Sequence, residues 1–431
     1  MRHSSVVNEV MFGLLVLSVG CATADSRDEG MEDTDAQGDE SGDDGQATDD
    51  PTTGADGGQD GAGDDGAGDD GASDDGASDG ADGGPPVDPE TGGMLFTLSN
   101  AADGNAVVMF ARDDAGMLEQ IGEFITGGNG SGGGLGSQGA IATDDDFVYV
   151  VNAGDGTISS MAIYEDHIGL VDQISTGGAM PTSLAVGDGR LYVLNAEGAG
   201  SVMGFSVTDG VFAELAGASQ PLSGAESPAP AQVGLSPDGS ALVVTERATN
   251  QIVTYAVADD GSLSAPVVNP SEGMTPFGFD FTTSSAFVVS EAFGGGMNPG
   301  ASAASSYRVA DGGALWTYTA SEPSGQTAAC WLEIVGDRFA YTTNTASNTV
   351  SAYTLDDEGA IDLFPGSGVV VDLGDDHSPL DMAVSADEKY LYVLNGVADN
   401  IMGFQIGDDG SLTELPTTVD IPETAVGLAG F

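Results

Sequence analysis

The chain has 431 residues, of which 40% are hydrophobic, so it is long enough to bury a sizeable core. Its 67 glycines and its aromatic content of only 6% are not typical of long helices. It carries 69 acidic residues against eight Lys and Arg, a formal net charge of −61 at pH 7. Phosphate backbones and anionic headgroups would be repelled by this charge, which excludes nucleic acid as a partner and leaves a lipid anchor as the only contact with a membrane.

Residues 1–20 are predicted to be a signal peptide. Arg2 and His3 precede the apolar run "VMFGLLVLSVG", which is too short to span a bilayer. Cleavage before Cys21 would leave a lipidated cysteine, since the end of the run resembles a bacterial lipobox, whereas cleavage after the A-x-A site of residues 22–24 would release a secreted protein. Cleavage before Cys21 is preferred because it explains a cysteine at this position. Either way the protein is exported, and the preferred form is a membrane-anchored lipoprotein of the periplasm or cell surface.

Residues 21–93 are predicted to be a disordered linker. They include the near-repeat "GAGDDGAGDDGASDDGASDG", and Arg27 is their one basic residue. Such a segment cannot bury enough apolar surface to offset its chain entropy. Calcium binding in a β-roll is the alternative, but the repeats lack the apolar residue that closes each turn of a β-roll. A solvated stalk is therefore the preferred interpretation.

Beyond the linker, one strand motif recurs seven times, as in "LYVLN", "FVYVVN" and "ALVVTE". Its copies lie 43 to 53 residues apart and end at Asn100, Asn152, Asn195, Glu246, Glu291, Asn344 and Asn395. A period of this length, filled with short strands and turns, is typical of a β-propeller. The sequence therefore predicts an all-β fold for residues 94–431, a seven-bladed β-propeller of four-stranded blades.

Each repeat divides into four strand-like pieces joined by turns rich in Asp, Asn, Gly and Pro. The second piece is apolar at nearly every position, which is typical of a sheet buried between neighbouring blades. The first copy lacks a preceding inner strand, and the last is followed by an extra piece, "TAVGLAGF", residues 424–431. The C-terminal strand is therefore predicted to complete blade one and to leave no open sheet edge.

The topology sorts the loops between two faces. The short acidic turns between first and second strands, and between third and fourth strands, share a face that is expected to be structural. The varied connections between blades share the other face with the strand-ending residues, and this face is expected to hold a small-molecule or protein ligand at the channel mouth. Its candidate residues are Asn100, Gln138, Asn152, Asn195, Gln232, Glu291, Asn344, His377, Asp381 and Asn395.

The motifs "SPDG", "LYVLN", "TNTASNTVSAY" and "DDGSLTEL" resemble the lactonase-type seven-bladed propellers, which include 6-phosphogluconolactonases and carboxymuconate cyclases. The resemblance covers residues 94–431 and implies a histidine before the "SPDG"-like turn, arginines after the second-strand Asn, and a nearby glutamate. Here Ala231 or Gln232 stands where the histidine is expected and Thr345 where an arginine is expected, whereas Glu246 and Arg247 are present. The resemblance therefore supports the fold more strongly than the reaction.

Glu246 and Arg247 are the candidate catalytic residues. The glutamate could activate water and the arginine could hold a substrate carboxylate or an oxyanion. The alternative is that Glu246, like Glu291, continues the hydrogen bonds that Asn makes to the next loop. His377 is interpreted as an exposed turn residue, although neighbouring Asp residues could give it an acid–base role, and Cys330 as a core residue. No metal site and no cofactor are predicted.

Two function classes follow from these residues. The preferred one is a monomeric, surface-anchored binding platform in which catalysis is not assured. The alternative is a lactonase-like hydrolase of a non-phosphorylated lactone. Phosphorylated sugars are disfavoured because residues 94–431 carry six basic residues against 44 acidic ones, and only Arg247 is predicted on the ligand face.

Overall fold

The computed structural model describes residues 92–431, and the predictions for residues 1–20 and for most of residues 21–93 lie outside this range. The described residues form seven antiparallel sheets, so the predicted seven-bladed β-propeller is confirmed. One short 3-10 turn, Gly295–Met297, interrupts the all-β structure inside the blade-five insertion. Among the described residues no helix is long and apolar enough to cross a bilayer.

Thirty strands build the ring. The first ten are β1 (Met94–Leu98), β2 (Ala106–Arg112), β3 (Leu118–Ile125), β4 (Ile141–Thr143), β5 (Phe147–Asn152), β6 (Thr157–Ile163), β7 (Ile168–Ser175), β8 (Pro181–Gly187), β9 (Arg190–Asn195) and β10 (Ser201–Thr208). The next ten are β11 (Val211–Glu214), β12 (Gln220–Pro221), β13 (Pro230–Leu235), β14 (Ala241–Glu246), β15 (Gln251–Ala256), β16 (Val267–Pro270), β17 (Pro276–Phe281), β18 (Ala286–Glu291), β19 (Ala303–Val309) and β20 (Leu315–Pro323). The last ten are β21 (Ala329–Val335), β22 (Phe339–Asn344), β23 (Thr349–Leu355), β24 (Ile361–Leu363), β25 (Val369–Asp372), β26 (Pro379–Val384), β27 (Tyr390–Asn395), β28 (Asn400–Ile406), β29 (Leu412–Asp420) and β30 (Val426–Gly430).

The blades follow one another in chain order. Blade 1 is β30, β1, β2 and β3; blades 2 to 7 are β4–β7, β8–β12, β13–β16, β17–β20, β21–β25 and β26–β29. The outer strand is split into two pieces in blades 3 and 6. The first strands of neighbouring blades contact one another around the ring, so they line the central channel. The second strands β14, β18, β22 and β27 are buried at every position, as their apolar sequences predict.

The C-terminal strand closes the ring. Strand β30 pairs antiparallel with β1, and Thr97 donates from its hydroxyl to the carbonyl of Gly427 over 2.7 Å. Backbone bonds in both directions between Met94 and Phe431 complete this end of the pair. The predicted closure by residues 424–431 is therefore confirmed, and β1 lies between two strands and has no open edge.

The D-x-G turns between third and fourth strands connect neighbouring blades. The Tyr192 hydroxyl of blade 3 donates to the carbonyl of Gly261 in blade 4 over 2.9 Å. The same bond joins Tyr341 to Gly410 over 3.0 Å, and Tyr392 to Gly116 over 2.8 Å. Each of these glycines has a positive φ of 82° to 83°, which turns its carbonyl toward the preceding blade without steric cost. We call these contacts the inter-blade latches.

The two faces of the ring differ in their backbone. The mouth face carries the turns between second and third strands, such as residues 247–250, and the connections between blades. The hairpin face carries the turns between first and second strands, such as residues 236–240. At the mouth face the first strands of blades 3 to 7 begin with a register shift, so their pairing with the second strands is irregular where the channel opens.

Candidate functional site

The residues that end the second strands form a buried ring on the mouth face. All seven are at most 2% exposed: Asn100, Asn152, Asn195, Glu246, Glu291, Asn344 and Asn395. The Asn152 amide oxygen accepts from the Thr126 hydroxyl over 2.7 Å, and the corresponding oxygen of Asn195 accepts from Thr176 over 2.6 Å. Thr126 and Thr176 belong to the connection that precedes each blade. In these blades the strand-ending side chain fixes that connection.

Glu246 makes the same kind of contact with a longer side chain. Its Oε1 accepts from the backbone N–H of Ser223 over 2.9 Å, and its Oε2 accepts from the Thr249 hydroxyl over 2.7 Å. The carboxylate therefore holds the connection between blades 3 and 4, and it also holds its own turn. Both oxygens are engaged, so the arrangement leaves Glu246 poorly placed to take a proton from water.

Glu291 is held even more closely. Its carboxylate accepts from the backbone N–H of Gly273 over 2.8 Å, from the Ser321 hydroxyl over 2.7 Å and from the Ser305 hydroxyl. Burial raises the pKa of Glu291, and these three donors partly oppose that shift. A Cβ atom at residue 273 would lie only 1.9 Å from a Glu291 oxygen, so any other residue there would displace the carboxylate. Glu291 thus anchors the connection between blades 4 and 5.

Arg247 follows Glu246 and has a different environment. Its Nε donates to the Ala229 carbonyl over 3.1 Å, and its guanidinium lies 5.4 Å above the centroid of the Phe277 ring. No carboxylate of the described residues forms an ion pair with it. Burial lowers the pKa of Arg247 to about 10, so the side chain stays charged at neutral pH. The mouth therefore holds a half-buried cation whose charge no described acid neutralises.

Strained backbone surrounds this mouth. Four residues that are not glycine lie just before first strands and adopt left-handed φ angles of 50° to 59°: Met180, Ala229, Thr275 and Ala328. Their carbonyl oxygens accept from the residues after the second strands, namely Ala196, Arg247, Ala292 and Thr345. Such conformations cost roughly 1–3 kcal/mol each and are common at functional sites. In this fold they set the backbone position at which Arg247 and Thr345 leave their strands.

A glycine-rich segment enters the channel from this face. In residues 130–139, which we call the plug, Ser137 accepts from the Trp331 indole N–H over 2.9 Å, and its own hydroxyl donates to the Thr182 carbonyl. Gln138 pairs with both backbone groups of Leu332 over 2.8 and 3.0 Å, and its N–H donates to the Ala231 carbonyl. The plug thus joins blades 3, 4 and 6 across the channel, and the predicted ligand-face residue Gln138 is a central part of it.

Three carboxyl groups lie along the channel strands next to the plug. Asp280 accepts from the N–H groups of Phe281 and Ile334, Glu333 accepts from the Gln138 amide, and Asp381 accepts from the N–H of Met382. Burial raises the pKa of Asp280 to about 6 and that of Asp381 to about 8. Burial, with Asp280 and Asp381 nearby, also raises the pKa of Glu333 well above its usual value.

Sequence reasoning identified Asp381 but missed Asp280 and Glu333. A signal was present, because "PFGFDF" and "CWLEIV" each place an acid near the end of a first strand, where neighbouring blades converge on the channel. Gln232, the other channel candidate, is bound in both directions to the backbone of Phe279 over 2.7 and 2.9 Å. The amide therefore ties blade 4 to blade 5.

The remaining candidates lie on blades 6 and 7 or in turns. Among the predicted ligand-face residues, four buried polar atoms have no hydrogen-bond partner within residues 92–431: Asn344 Oδ1, His377 Nδ1, Asp381 Oδ2 and Asn395 Oδ1. Cys330 is fully buried, with its Sγ 3.1 Å from the Ala328 carbonyl, as core packing predicts. Residues 92–431 contain no group of three or more His, Cys, Asp or Glu side chains that could hold a metal ion.

Comparison with known proteins agrees with this architecture. Residues 190–292 match the family model of the lactonase seven-bladed β-propellers. A Pseudomonas aeruginosa periplasmic gluconolactonase superposes with a TM-score of 0.59 at 17% identity, over 78% of this chain and 99% of that one. A Lactobacillus plantarum protein superposes with a TM-score of 0.62 at 18% identity, over 78% of this chain and 98% of that one. A Bacteroides fragilis protein provisionally named a 6-phosphogluconolactonase superposes with a TM-score of 0.58 at 19% identity, over 80% of this chain and 99% of that one.

The predicted resemblance to the lactonase-type seven-bladed propellers is therefore confirmed. The family model spans blade 4 and parts of blades 3 and 5, which include Glu246, Arg247 and Glu291. Structural likeness at such low sequence identity establishes the fold alone. No curated protein matches the chain.

Proposed function

We propose that this protein binds a small carboxylate at the mouth of the propeller, with Arg247 as the main contact. The observation that carries the proposal is the half-buried guanidinium of Arg247, stacked on Phe277 and without an acidic partner among residues 92–431. A guanidinium presents a planar fork of N–H donors that matches a carboxylate. In so acidic a protein an unneutralised arginine at the mouth is a specific place for an anion.

The polar atoms on blades 6 and 7 favour a hydroxylated ligand. Buried polar groups in proteins are nearly always paired, so the free oxygens of Asn344 and Asn395 and the free Nδ1 of His377 call for partners such as water or ligand hydroxyls. A sugar acid supplies both a carboxylate and hydroxyl groups. We therefore propose aldonates as the ligand class.

The test is titration calorimetry of the full chain with D-gluconate. We expect binding that weakens about tenfold or more in Arg247→Gln, because one charge-assisted contact is lost. Arg338→Gln is the matched control, because Arg338 also stacks on an aromatic ring but lies at the hairpin face. Its guanidinium carbon is 4.9 Å from the centroid of the Phe339 ring. Equal binding by the Arg247→Gln variant and the parent would exclude Arg247 as the contact.

Lactone hydrolysis is the second candidate, and the family match over residues 190–292 favours it. The engaged carboxylates of Glu246 and Glu291 argue for slow turnover, since each already accepts at least two hydrogen bonds. A missing general base and a missing oxyanion donor each cost about a hundredfold or more in rate. We therefore propose no turnover of 6-phosphogluconolactone and at best slow hydrolysis of simple lactones.

Hydrolysis of D-glucono-δ-lactone in a pH-stat, corrected for the spontaneous rate, separates the two candidates. Efficient hydrolysis that is lost in Glu246→Gln or Arg247→Ala would favour the enzyme. Binding of gluconate without hydrolysis would favour the platform.

We also propose that the propeller is exported and held at a membrane by a lipid on Cys21, with residues 21–93 as an acidic spacer. The support is the pattern of residues 1–21. Labelled fatty acid should be incorporated into the parent protein in bacteria and not into Cys21→Ser. A secreted, unlabelled product beginning at Asp25 would instead support cleavage after residue 24.

A further inference from the structure

A cavity lies on the hairpin face, the face opposite the proposed mouth site. It has a volume of about 620 Å³, within the range of small-molecule sites. Gly93 and Phe431 of blade 1 line it together with Arg112, Asp144, Asp145 and Asp387. We call it the closure cavity.

The closure cavity has a topological cause. Blades 2 to 7 each fill this position with a turn between first and second strands, such as residues 236–240 of blade 4. In blade 1 the first strand is β30 and the second is β1, so two chain segments meet there without a connecting turn. The turns of blades 2 and 7, at residues 144–146 and 385–389, then form walls around an open space.

Arg112 contributes to this space a guanidinium with few partners. Its side chain is 5% exposed and its guanidinium lies 5.3 Å above the Tyr390 ring. Nε is buried without a hydrogen-bond partner among the described residues. Its one acidic neighbour there, Asp387, is 3.5 Å from Nη2 and also pairs with Lys389 at 3.1 Å. A buried guanidinium with so few partners is suited to an oxyanion.

Gly93 keeps this space open. A Cβ atom at residue 93 would come within 3.2 Å of both Nε and Nη2 of Arg112 and within 2.5 Å of the Phe431 carbonyl. Its φ of 129° also disfavours any other residue. Glycine at this position therefore leaves room beside the guanidinium.

The acids of the closure cavity decide the charge of its ligand. The Asp144 carboxylate is occupied, since it accepts from the N–H groups of Asp146 and Phe147 and from the Tyr149 hydroxyl. Asp145 is exposed and has no hydrogen-bond partner among residues 92–431, so its carboxylate is available. A simple anion would be repelled by these acids, and a simple cation would leave Arg112 unsatisfied.

Because Arg112 shares its one acidic neighbour with Lys389, and Asp145 has no partner among residues 92–431, we infer that the closure cavity binds a compact zwitterion, an amino acid or a short peptide. Its carboxylate pairs with Arg112 and its ammonium with Asp145. This site is independent of Arg247 and of the proposed sugar-acid site, because the two lie on opposite faces.

Titration calorimetry of the full chain with L-alanine, β-alanine and L-alanyl-L-alanine tests the inference. These probes carry the same two charges at different separations. We expect at least one of them to bind about tenfold or more tightly than propionate or ethylamine, each of which has only one of the charges. Asp145→Asn should weaken that binding by about tenfold or more, and Arg112→Lys should do the same because it loses the guanidinium fork.

Asp357→Asn is the matched control, because Asp357 is an exposed turn acid of blade 6, and it should bind the probe like the parent. A melting curve for each variant checks that it is folded, and Asp145→Asn remains informative if the buried Arg112 cannot be changed. The inference is overturned if no zwitterion binds, if propionate binds as well as the amino acids, or if folded Asp145→Asn binds unchanged.

Discussion

Glu246 and Glu291 occupy positions at which five other blades carry Asn. An amide both donates and accepts, and Asn152 uses both functions, accepting from Thr126 and donating to Ser159 over 2.9 Å. A carboxylate only accepts, and both glutamates are accordingly surrounded by donors. The extra methylene lets them reach backbone N–H groups in the preceding connection. Their chemistry is therefore matched to loop anchoring.

Replacing Glu246 should separate anchoring from charge. Glu246→Ala would leave the N–H of Ser223 without its acceptor, and we expect it to lower the free energy of unfolding by about 1–3 kcal/mol. Glu246→Gln keeps an acceptor oxygen and should cost less. Urea denaturation at pH 7 measures both, with the exposed Glu358→Ala as control. Equal stability of the alanine variant and the parent would contradict the anchoring role.

The channel carboxyls make stability depend on pH. Asp280 and Asp381 have pKa values raised by burial to about 6 and about 8, so the folded protein holds protons that the unfolded chain releases above about pH 4. Their contribution is present in full below pH 4 and is lost as the pH rises through 6 and 8.

Asp381→Asn should remove much of this pH dependence. The amide resembles the protonated carboxyl and does not ionise. As the pH rises from 5 to 8.5, the free energy of unfolding of the variant should therefore increase relative to that of the parent, by an amount on the order of a few kcal/mol. The measurement is the difference between their unfolding free energies at each pH, in which the other titrating groups cancel. A difference that stayed constant with pH would mean that Asp381 is ionised in the folded protein.

At the scale of elements, the inter-blade latches give the acidic D-x-G turns a role in ring assembly. We expect Tyr192→Phe to cost about 1 kcal/mol, since a single hydrogen bond to the Gly261 carbonyl is lost while the ring stays packed. Tyr164→Phe is the control, because Tyr164 stacks on His167 in a blade-two turn and forms no latch. In thermal melts, Tyr192→Phe should have a lower melting temperature than Tyr164→Phe. Equal melting temperatures would show that the latch is not a stabilising contact.

The elements were predictable because their signal is local. A strand that ends in Asn or Glu, preceded by apolar residues and repeated every 43 to 53 residues, needs no tertiary information. The ring-closing strand followed from a surplus piece at one end and a missing piece at the other. Both inferences used only local residue patterns and their spacing along the chain.

The candidate sites depend on contacts that spacing does not encode. The plug is rich in glycine, which has little conformational preference, so its path to Leu332 and Trp331 could not be read from residues 130–139. The grouping of Asp280, Glu333 and Asp381 depends on how the first strands of three blades are positioned relative to one another along the channel. The closure cavity arises from an absent turn, and a missing element leaves no motif.

At the scale of the whole molecule, the ring depends on its last strand. Removing residues 424–431 would expose the full edge of β1 and delete the bonds to Thr97 and Ser99. We expect the truncated chain to lack a cooperative thermal transition and to be digested rapidly by proteases. A synthetic peptide of residues 424–431, added in excess, should restore part of the transition. A truncated protein that melts like the parent would show that β30 is not required for closure.

The pairing of β1 with β30 also sets when the protein can fold. On the ribosome, β1 is the first strand of the propeller to emerge and its partner β30 is the last, so blade 1 stays incomplete and the circle open until β30 has been made. Folding must then bring distant parts of the chain together, which makes the final step slow. Once closed, however, the circle has no terminal repeat from which unravelling can start, unlike a linear repeat array. The nascent chain is therefore exposed for a long time, whereas the finished one can open only by parting two blades.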